Sequence, residues 1–340
     1  MTWESMLTEF RTLGGVADNI GLKESTIGGK GVFPLDPAQP IRLHVPDRLL
    51  VPSADTVLDE QGQLVVNPQS AFAPPEKEFF NAYQAAFSYG LARQELWDRQ
   101  QAYAELPAAV QEALRTAGAA PPDLFTPPSP ERCRELFCGS RQIMYGDKST
   151  LMPVMELVNH AARGVPYDIR PGAGIGIAGK FPGEICAVYQ GVADSWIYAL
   201  NWGFATPMPC ANSLPMSCTF GGYQIMIGRR VIDFEKGNQF RLPKFTVQDR
   251  KLELSFLELG NQFRPRVPRS VFLRVLQAPG VTIPKLDELF DLIQDINRKR
   301  FIHLLRALDG VAGAVPAMLR RAILFQLEAL STYYGTRELA

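Results

Sequence analysis

Residues 152–160 read MPVMELVNH, a compact apolar run that ends in the polar pair Asn159-His160. Taken alone, this run is typical of a helix that stops at an asparagine cap. Two other segments have equally plain interpretations: GGKGVF at 28–33 suits a hairpin turn, and SRQI at 140–143 suits the end of a helix. The order of these segments along the chain is therefore more informative than any one of them.

The composition limits the possible partners. The 340 residues carry 35 lysines and arginines against 35 acidic residues, so the formal net charge is zero. That balance argues against a broad electrostatic grip on nucleic acid or on anionic lipid. The first residues include Glu4 and Glu9, which do not suit a signal peptide, and no apolar run approaches the ~18 residues of a membrane helix. We expect a soluble, cytoplasmic protein that binds neither nucleic acid nor membranes.

Metal-dependent and serine-hydrolase chemistry find little support. The five cysteines are odd in number and lack the two-residue gap of zinc knuckles, so we interpret them as reduced thiols. The three histidines, His44, His160 and His303, lack helical metal-ligand spacing, and no Gly-x-Ser-x-Gly elbow is present. We therefore predict no metal site.

A glycine-rich string, GIGIAG at 174–179, resembles part of a dinucleotide-binding loop. Such a loop needs a helix directly after it, because the helix N-terminus holds the pyrophosphate. The residues that follow, Phe181-Pro182-Gly183, do not suit a helix start. We interpret the string as a turn between strands.

The pattern of apolar residues along the chain alternates between strand-like and helical segments. Short β-type runs reach residue 52, and apolar residues recur at helical spacing over 76–118. Glycine-rich β structure returns at 169–203, and beyond Pro268 the pattern is helical to the end. We predict an α+β protein with a helical C-terminal segment.

Read together, the segments resemble the SET-domain lysine methyltransferases, in particular the branch of the Rubisco large-subunit and SETD-like enzymes. The resemblance spans nearly the whole chain and rests on motifs in the family's order. These are Gly29-Lys30-Gly31-Val32-Phe33, HVPDRLL at 44–50, Ser140-Arg141, MPVMELVNH at 152–160, Gly183-Glu184, Tyr189 and Trp202-Gly203-Phe204.

The resemblance implies a SET-domain β-fold with a pseudoknot, in which the Asn-His and tyrosine segments cross. It also implies a division of the chain into four parts. They are residues 1–75 for the N-terminal half of the SET domain, 76–135 for a helical insertion, 136–260 for the C-terminal half with the strands after it, and 261–340 for a helical domain of the substrate-binding kind.

The same resemblance implies a binding site for S-adenosyl-L-methionine, built from residues far apart in sequence. These are Gly29, Lys30 and Gly31 against its methionine part, Arg141 at its carboxylate, Asn159 at its amino group, and His160 and Phe204 at its adenine. A planar guanidinium suits a carboxylate because it can donate two parallel hydrogen bonds.

The family's catalytic tyrosine is expected at Tyr189, where its hydroxyl would orient the methyl donor. Counting from neighbouring motifs also allows Gln190 at that position, and then the phenol is missing. Trp202 stands where the family has a tyrosine, and it is expected to line the channel for the substrate amine together with Gln190.

By the resemblance, the chain is a methyltransferase of SET type that transfers a methyl group to a lysine amine of a protein. Two alternatives stay open. One is a divergent SET-like enzyme that acts on a small-molecule amine without methylating lysine, and the other is a catalytically silent binding module. The sequence does not determine the oligomeric state.

Overall fold

The computed structural model of the chain describes residues 1–189, 193–228, 243–277 and 283–335. Contacts divide the chain into two compact units. Unit 1 comprises Met1–Gln101 and Pro127–Gly191, and unit 2 comprises Ala102–Thr126 and Val192–Ala340. Each unit is therefore assembled from two separate stretches of sequence.

Helices and strands alternate in blocks along the chain. The first block holds α1 (Trp3–Thr12), β1 (Val16–Asp18), β2 (Ile20–Glu24), β3 (Lys30–Pro34), β4 (Ile41–Pro46), β5 (Val51–Pro52), β6 (Thr56–Leu58) and β7 (Leu64–Val66). A helical block follows, with α2 (Pro74–Phe87), α3 (Tyr89–Ala104), α4 (Ala108–Thr116) and α5 (Pro130–Arg141). Strands then return as β8 (Ile143–Tyr145), β9 (Lys148–Leu151), β10 (Asn159–Val165), β11 (Asp168–Arg170), β12 (Gly174–Gly179) and β13 (Cys186–Ala187).

The rest of the chain begins with a helix, continues as strands and ends in long helices. These elements are α6 (Ser195–Trp202), β14 (Cys210–Asn212), β15 (Met216–Phe220), β16 (Tyr223–Ile227), β17 (Phe245–Gln248), β18 (Lys251–Leu254), β19 (Glu258–Asn261), α7 (Val267–Leu276), α8 (Leu286–Ala307) and α9 (Ala314–Gly335). The predicted α+β class and the helical C-terminal segment are confirmed.

A four-stranded antiparallel sheet in unit 1 has the order β1-β4-β12-β11. Its strand β12 is the glycine-rich string at 174–179, so the interpretation of that string as a turn was wrong. Ile175 and Ile177 are buried and alternate with small residues, which is the two-residue period of a strand. The glycines obscured this period, while the predicted absence of a helix directly after the string is confirmed.

The core of unit 1 forms around stacked aromatic rings. Phe10 on α1 stacks on Phe79 of α2, and Phe79 stacks in turn on Tyr83, with ring centroids 5.9 Å and 6.2 Å apart. The rings of Phe10, Phe79 and Tyr83 are fully buried. Helix α1 begins with a reciprocal cap, in which Thr2 and Ser5 exchange backbone and side-chain hydrogen bonds. The apolar residues Met6, Leu7 and Phe10 lie on one face of α1, and that face packs into the core.

The segment 152–160 has an unusual backbone. Val154 is fully buried with φ at 69°, a left-handed conformation that a β-branched residue adopts only under constraint. One turn of 3₁₀ helix follows over Met155–Leu157, and Asn159 then starts strand β10. Asn159 is thus the first residue of a strand and not a helix cap.

Unit 2 has a separate core that contains polar anchors. Asn297 of α8 is fully buried, and its amide donates to Ser213 Oγ at 3.0 Å while its Oδ1 accepts from the Leu214 N–H at 2.7 Å. Trp196 of α6 donates its indole N–H to the Ala119 carbonyl at 2.8 Å. These bonds give the buried polar groups their hydrogen-bond partners. A buried polar group without a partner would destabilise the core.

The described residues contain neither a membrane-spanning helix nor a cluster of metal-binding side chains. No helix in the four described ranges is long and apolar enough to cross a membrane. The same ranges hold no group of three or more His, Cys, Asp or Glu side chains arranged for a metal ion. All five cysteines lie within them and are free thiols.

Candidate functional site

A parallel strand pair in unit 1 joins two of the predicted site segments. Strand β10 pairs with β13 so that Asn159 lies beside Cys186 and His160 beside Ala187. Two segments more than twenty residues apart in sequence thereby become neighbours. Tyr189 lies two residues after β13, and its backbone N–H contacts the His160 ring.

The β2–β3 hairpin lies against the β10–β13 pair. We call the place where they meet, around Lys30, Asn159, Glu184 and Tyr189, the corner of unit 1. The backbone N–H of Ile185 donates to the Val32 carbonyl at 2.8 Å, and Asn159 Nδ2 donates to the Lys30 carbonyl at 3.2 Å. Sequence reasoning selected the Lys30 turn and Asn159 separately, and the structure brings them into contact.

Glu184 occupies the centre of the corner, and sequence reasoning gave it no role. Its Oε1 accepts a hydrogen bond from Asn159 Nδ2 at 2.6 Å, and its Oε2 accepts one from Ser25 Oγ at 2.8 Å. The sequence pattern identifies Gly183-Glu184 only as one motif in the series. The contacts of Glu184 depend on the strand pairing, which composition and spacing do not reveal.

Two glycines of the hairpin differ in their surroundings. A Cβ atom built on Gly31 would lie 2.1 Å from Glu184 Oε1 and 2.9 Å from Asn159 Nδ2. A Cβ on Gly29 would meet no atom within 4 Å, although its φ of 58° favours glycine. The space beside Gly31 is thus filled by the protein's own polar groups, and Gly29 stands open.

Tyr189 is half-buried and held at both ends. Its hydroxyl donates to the Val158 carbonyl at 2.9 Å, and its backbone N–H donates to His160 Nδ1 at 3.3 Å. Burial raises the pKa of its phenol above the ordinary value, while the positive charge of Arg141 acts in the opposite direction. The phenol is therefore neutral at physiological pH.

His160 is buried beside Tyr189, with the two ring centroids 5.3 Å apart. Burial lowers the pKa of its imidazole to about 4. The ring is therefore uncharged at neutral pH, and Nδ1 is the acceptor for the Tyr189 N–H. A neutral ring suits packing against a ligand better than it suits acid catalysis.

Arg141 ends helix α5 and is partly buried. Its guanidinium lies 4.5 Å from the centre of the Phe137 ring and donates to Ser140 Oγ at 3.0 Å. Its charge lowers the pKa values of both Tyr189 and Glu156, against the larger effect of burial. Arg141 is therefore within electrostatic reach of the corner that holds Tyr189.

A buried carboxyl group lies behind this corner and was also missed from sequence. Glu156 Oε1 accepts from Ser88 Oγ at 2.5 Å and from Gln84 Nε2 at 3.0 Å. Burial raises the pKa of Glu156, and its Oε2 has no hydrogen-bond partner within the described ranges. The carboxyl ties the 152–160 segment to helix α2.

Two of the aromatic residues predicted for the site, Trp202 and Phe204, belong to unit 2. Tyr198 of α6 stacks on Trp202 with ring centroids 4.7 Å apart, and its ring lies 5.7 Å from that of Phe204. Gly203, with φ at 78°, ends α6 in a left-handed conformation. The structure groups these rings within unit 2, and their role in the site stays a prediction. Gln190 lies outside the described residues.

The corner in unit 1 combines two kinds of group. The Lys30 carbonyl, the Asn159 amide oxygen and the Glu184 carboxylate are hydrogen-bond acceptors, whereas Arg141 is a cationic donor. A ligand that carries both an ammonium and a carboxylate matches this set of charges. The amino acid end of S-adenosylmethionine has these two groups, so the residues present fit the predicted cofactor.

No protein-family model and no curated protein matches the chain. Among solved structures, it is similar to the SET domain of LSMT bound to lysine and AdoHcy, at 12% sequence identity over 99% of this chain and 90% of that chain, with a TM-score of 0.43. It is also similar to Rubisco LSMT bound to AdoMet, at 13% identity over 99% of this chain and 91% of that chain, with the same TM-score of 0.43. Likeness this distant does not determine an activity.

Proposed function

We propose that the chain is an S-adenosylmethionine-dependent methyltransferase of SET type that acts on a primary amine, the side chain of a protein lysine. The proposal is carried by one observation. Asn159, the Lys30 turn and Tyr189, which the motif order assigns to one cofactor site, come together in unit 1 through hydrogen bonds and the pairing of β10 with β13. Random motif matches have no reason to converge in this way.

We propose that the Lys30 carbonyl and the Asn159 amide bind the ammonium of the cofactor and that Arg141 binds its carboxylate. His160 is neutral and packs near Tyr189, which suits contact with an uncharged adenine. Phe204 would cover the adenine. The cofactor, when bound, supplies a methyl group activated by a positively charged sulfur.

Tyr189 is the proposed orienting residue. Its hydroxyl proton is committed to the Val158 carbonyl, so the phenol oxygen keeps lone pairs for a polarised methyl group or a substrate N–H. Burial keeps the pKa of the phenol high, so it acts as a fixed dipole and not as a base. A fixed dipole costs no reorganisation during the reaction.

Little acid–base machinery is needed for this reaction. The amine has to arrive uncharged, in line with the methyl group and shielded from water. Trp202 is the proposed wall of the amine channel, and its stacking on Tyr198 limits its freedom to move. Because Trp202 lacks a hydroxyl, its side chain offers the amine no hydrogen-bond acceptor.

The test is methyl transfer from labelled S-adenosylmethionine to candidate proteins by wild type and Tyr189→Phe. We expect Tyr189→Phe to lower the rate by about 10²-fold, as for the loss of one preorganised polar group, while it keeps cofactor affinity. The matched control is Tyr145→Phe, because Tyr145 also donates to a backbone carbonyl, that of Arg170, at 3.0 Å.

Three results would contradict the proposal. Absence of cofactor binding by calorimetry at millimolar concentration would exclude a methyltransferase. Cofactor binding without turnover on any protein, and with no effect of Tyr189→Phe, would favour the silent binding module. Turnover on free amines but not on proteins would favour the small-molecule enzyme.

A further inference from the structure

Among the described residues, the Glu184 carboxylate has no cationic partner. It accepts hydrogen bonds from Ser25 and Asn159, and both donors are neutral. Across the described ranges no lysine or arginine forms an ion pair with it. The carboxylate can therefore accept a further, charge-assisted hydrogen bond from a positively charged ligand.

The carboxylate also fixes the orientation of the Asn159 amide. Both amide hydrogens are occupied, one by Glu184 Oε1 and one by the Lys30 carbonyl. Since both partners are acceptors, the NH₂ group has to face them, and the assignment of the amide is unambiguous. Asn159 Oδ1 is then left as an acceptor on the opposite side of the same amide.

The position of the carboxylate is itself held by the fold. Ile185, the next residue, bonds to Val32 of β3, and Ser25 closes its own turn by donating its N–H to the Gly29 carbonyl at 2.8 Å. The absent side chain of Gly31 provides the space in which Glu184 Oε1 lies. The β2–β3 hairpin and the β10–β13 pair therefore fix the position of the Glu184 carboxylate.

We propose that Glu184 is the counter-charge for the ammonium group of the bound amino acid end and orients the Asn159 amide beside it. This inference rests on the proposed function, and it assigns to Glu184 the selection of a positively charged amino group. The Lys30 carbonyl and the Glu184 carboxylate both face the NH₂ group of Asn159, and both are acceptors for the N–H donors of a primary ammonium.

Glu184→Gln removes the charge with little change in shape. The glutamine oxygen can accept from Asn159, and its NH₂ can donate to Ser25 Oγ, so both contacts of the corner survive. Glu95→Gln is the matched control, because Glu95 is exposed on α3 of the same unit.

The experiment is calorimetry with two ligands, S-adenosylhomocysteine and its deaminated analogue, which keeps the carboxylate and the adenosine. We expect wild type to prefer the amino form, and Glu184→Gln to lose about 10- to 100-fold in affinity for that form only, the effect of one charge-assisted bond. Affinity for the deaminated analogue should stay within about 2-fold, and Glu95→Gln should match wild type for both ligands.

Each other result has a distinct meaning. Equal loss for both ligands would show a purely structural role and overturn the inference, as would unchanged binding. If wild type binds both ligands equally, the inference fails without any variant, while the proposed function stands. If wild type binds neither, the proposed function fails and the inference falls with it. Should Glu184→Gln not fold, Glu184→Asp, which keeps the charge, should retain a preference for the amino form.

Discussion

Position 31 shows how one absent side chain can serve another residue. The resemblance explains the glycine by close approach of a ligand, but the structure puts Glu184 Oε1 and Asn159 Nδ2 in that space. Glycine is needed there because the carboxylate and amide pack directly on the backbone. The requirement for glycine at 31 and the presence of Glu184 are therefore two aspects of one contact.

Gly31→Ala tests this contact. The new methyl group would lie 2.1 Å from Glu184 Oε1, well inside van der Waals distance, so Glu184 and Asn159 have to move apart. We expect the affinity for S-adenosylhomocysteine, measured by calorimetry, to fall by roughly 10-fold or more as the hydrogen bonds of Asn159 are lost.

The control for Gly31→Ala is Gly183→Ala. Gly183 precedes Glu184, and a Cβ built on it would meet no atom within 4 Å. We expect that variant to bind like wild type. Equal affinity of the two alanine variants would mean that the crowding at position 31 is unimportant for the site.

The residues of the site were only partly accessible from sequence. Asn159, Lys30 and Arg141 could be selected because the order of motifs along the chain resembles a known family. Glu184 could not, because its hydrogen bonds reach Ser25 and Asn159 across strand pairings that no local pattern encodes. A glutamate in a Gly-Glu turn carries no signal of its own that separates a structural role from a functional one.

At the level of elements, the junction between α2 and α3 is hydrogen-bonded to the 152–160 segment. Ser88 lies between the two helices with φ −131° and ψ −98°, outside helical geometry. Its hydroxyl and the Gln84 amide both donate to Glu156, which directly follows the 3₁₀ residue Met155. The break in the helix thus coincides with a buried polar contact to a distant segment.

Ser88→Ala should destabilise unit 1 by about 1–3 kcal/mol, because it leaves the buried Glu156 carboxyl with one fewer donor. Urea unfolding followed by circular dichroism measures this difference. Thr8→Ala is the control, since Thr8 is exposed on α1 and bonds only to its own helix, and it should stay within about 0.5 kcal/mol of wild type. If Ser88→Ala lowers the free energy of unfolding no more than Thr8→Ala does, the hydrogen bond from Ser88 to Glu156 does not stabilise unit 1.

Elements differed in how well their patterns predicted them. Helix α1 has its apolar residues at helical spacing, and Met6, Leu7 and Phe10 are buried as such a spacing predicts. β structure was predicted around β12, but its glycines favour a turn and hide the alternation of Ile175 and Ile177, so the string itself was wrongly predicted as a turn. The strand start at Asn159 was missed because the strained Val154 turn has no sequence signature.

Stability of the whole molecule should depend on pH through His160. Its pKa is lowered to about 4 in the folded state, so between pH 6.5 and 4 the unfolded chain binds the proton more strongly. The stabilising contribution is complete above pH 6.5 and is lost as pH falls towards 4. From the two pKa values we expect a loss of about 2 kcal/mol between pH 7 and pH 5.

Unfolding in urea at the two pH values measures this loss, and His160→Gln should remove it. Glu156 acts with the opposite sign, because burial raises its pKa and the folded state then gains stability as pH falls. The difference between wild type and His160→Gln isolates the histidine. His303→Gln, on an exposed position of α8, is the control and should keep the pH dependence of wild type. The same pH dependence in His160→Gln would refute the assignment.

At the scale of the molecule, the sequence predicted the class and the order of blocks but not the partition into units. The four predicted parts, 1–75, 76–135, 136–260 and 261–340, are contiguous and stay predictions. Each compact unit instead combines two stretches, because residues 102–126 and 127–191 join different cores. Local periodicity contains no information on which core a helix joins, since any apolar face can bury against either.

The pairing of β4 with β12 bears on how the protein is made. Synthesis proceeds from the N-terminus at 5–20 residues per second, so the partner of β4 emerges from the ribosome on the order of ten seconds later, after roughly 130 residues. Through that interval one edge of β4 has no native partner, and the helices of the intervening stretch are already available to form. The central sheet of unit 1 is therefore closed late, and a newly made chain has to keep its apolar strands from aggregating until residue 179 has appeared.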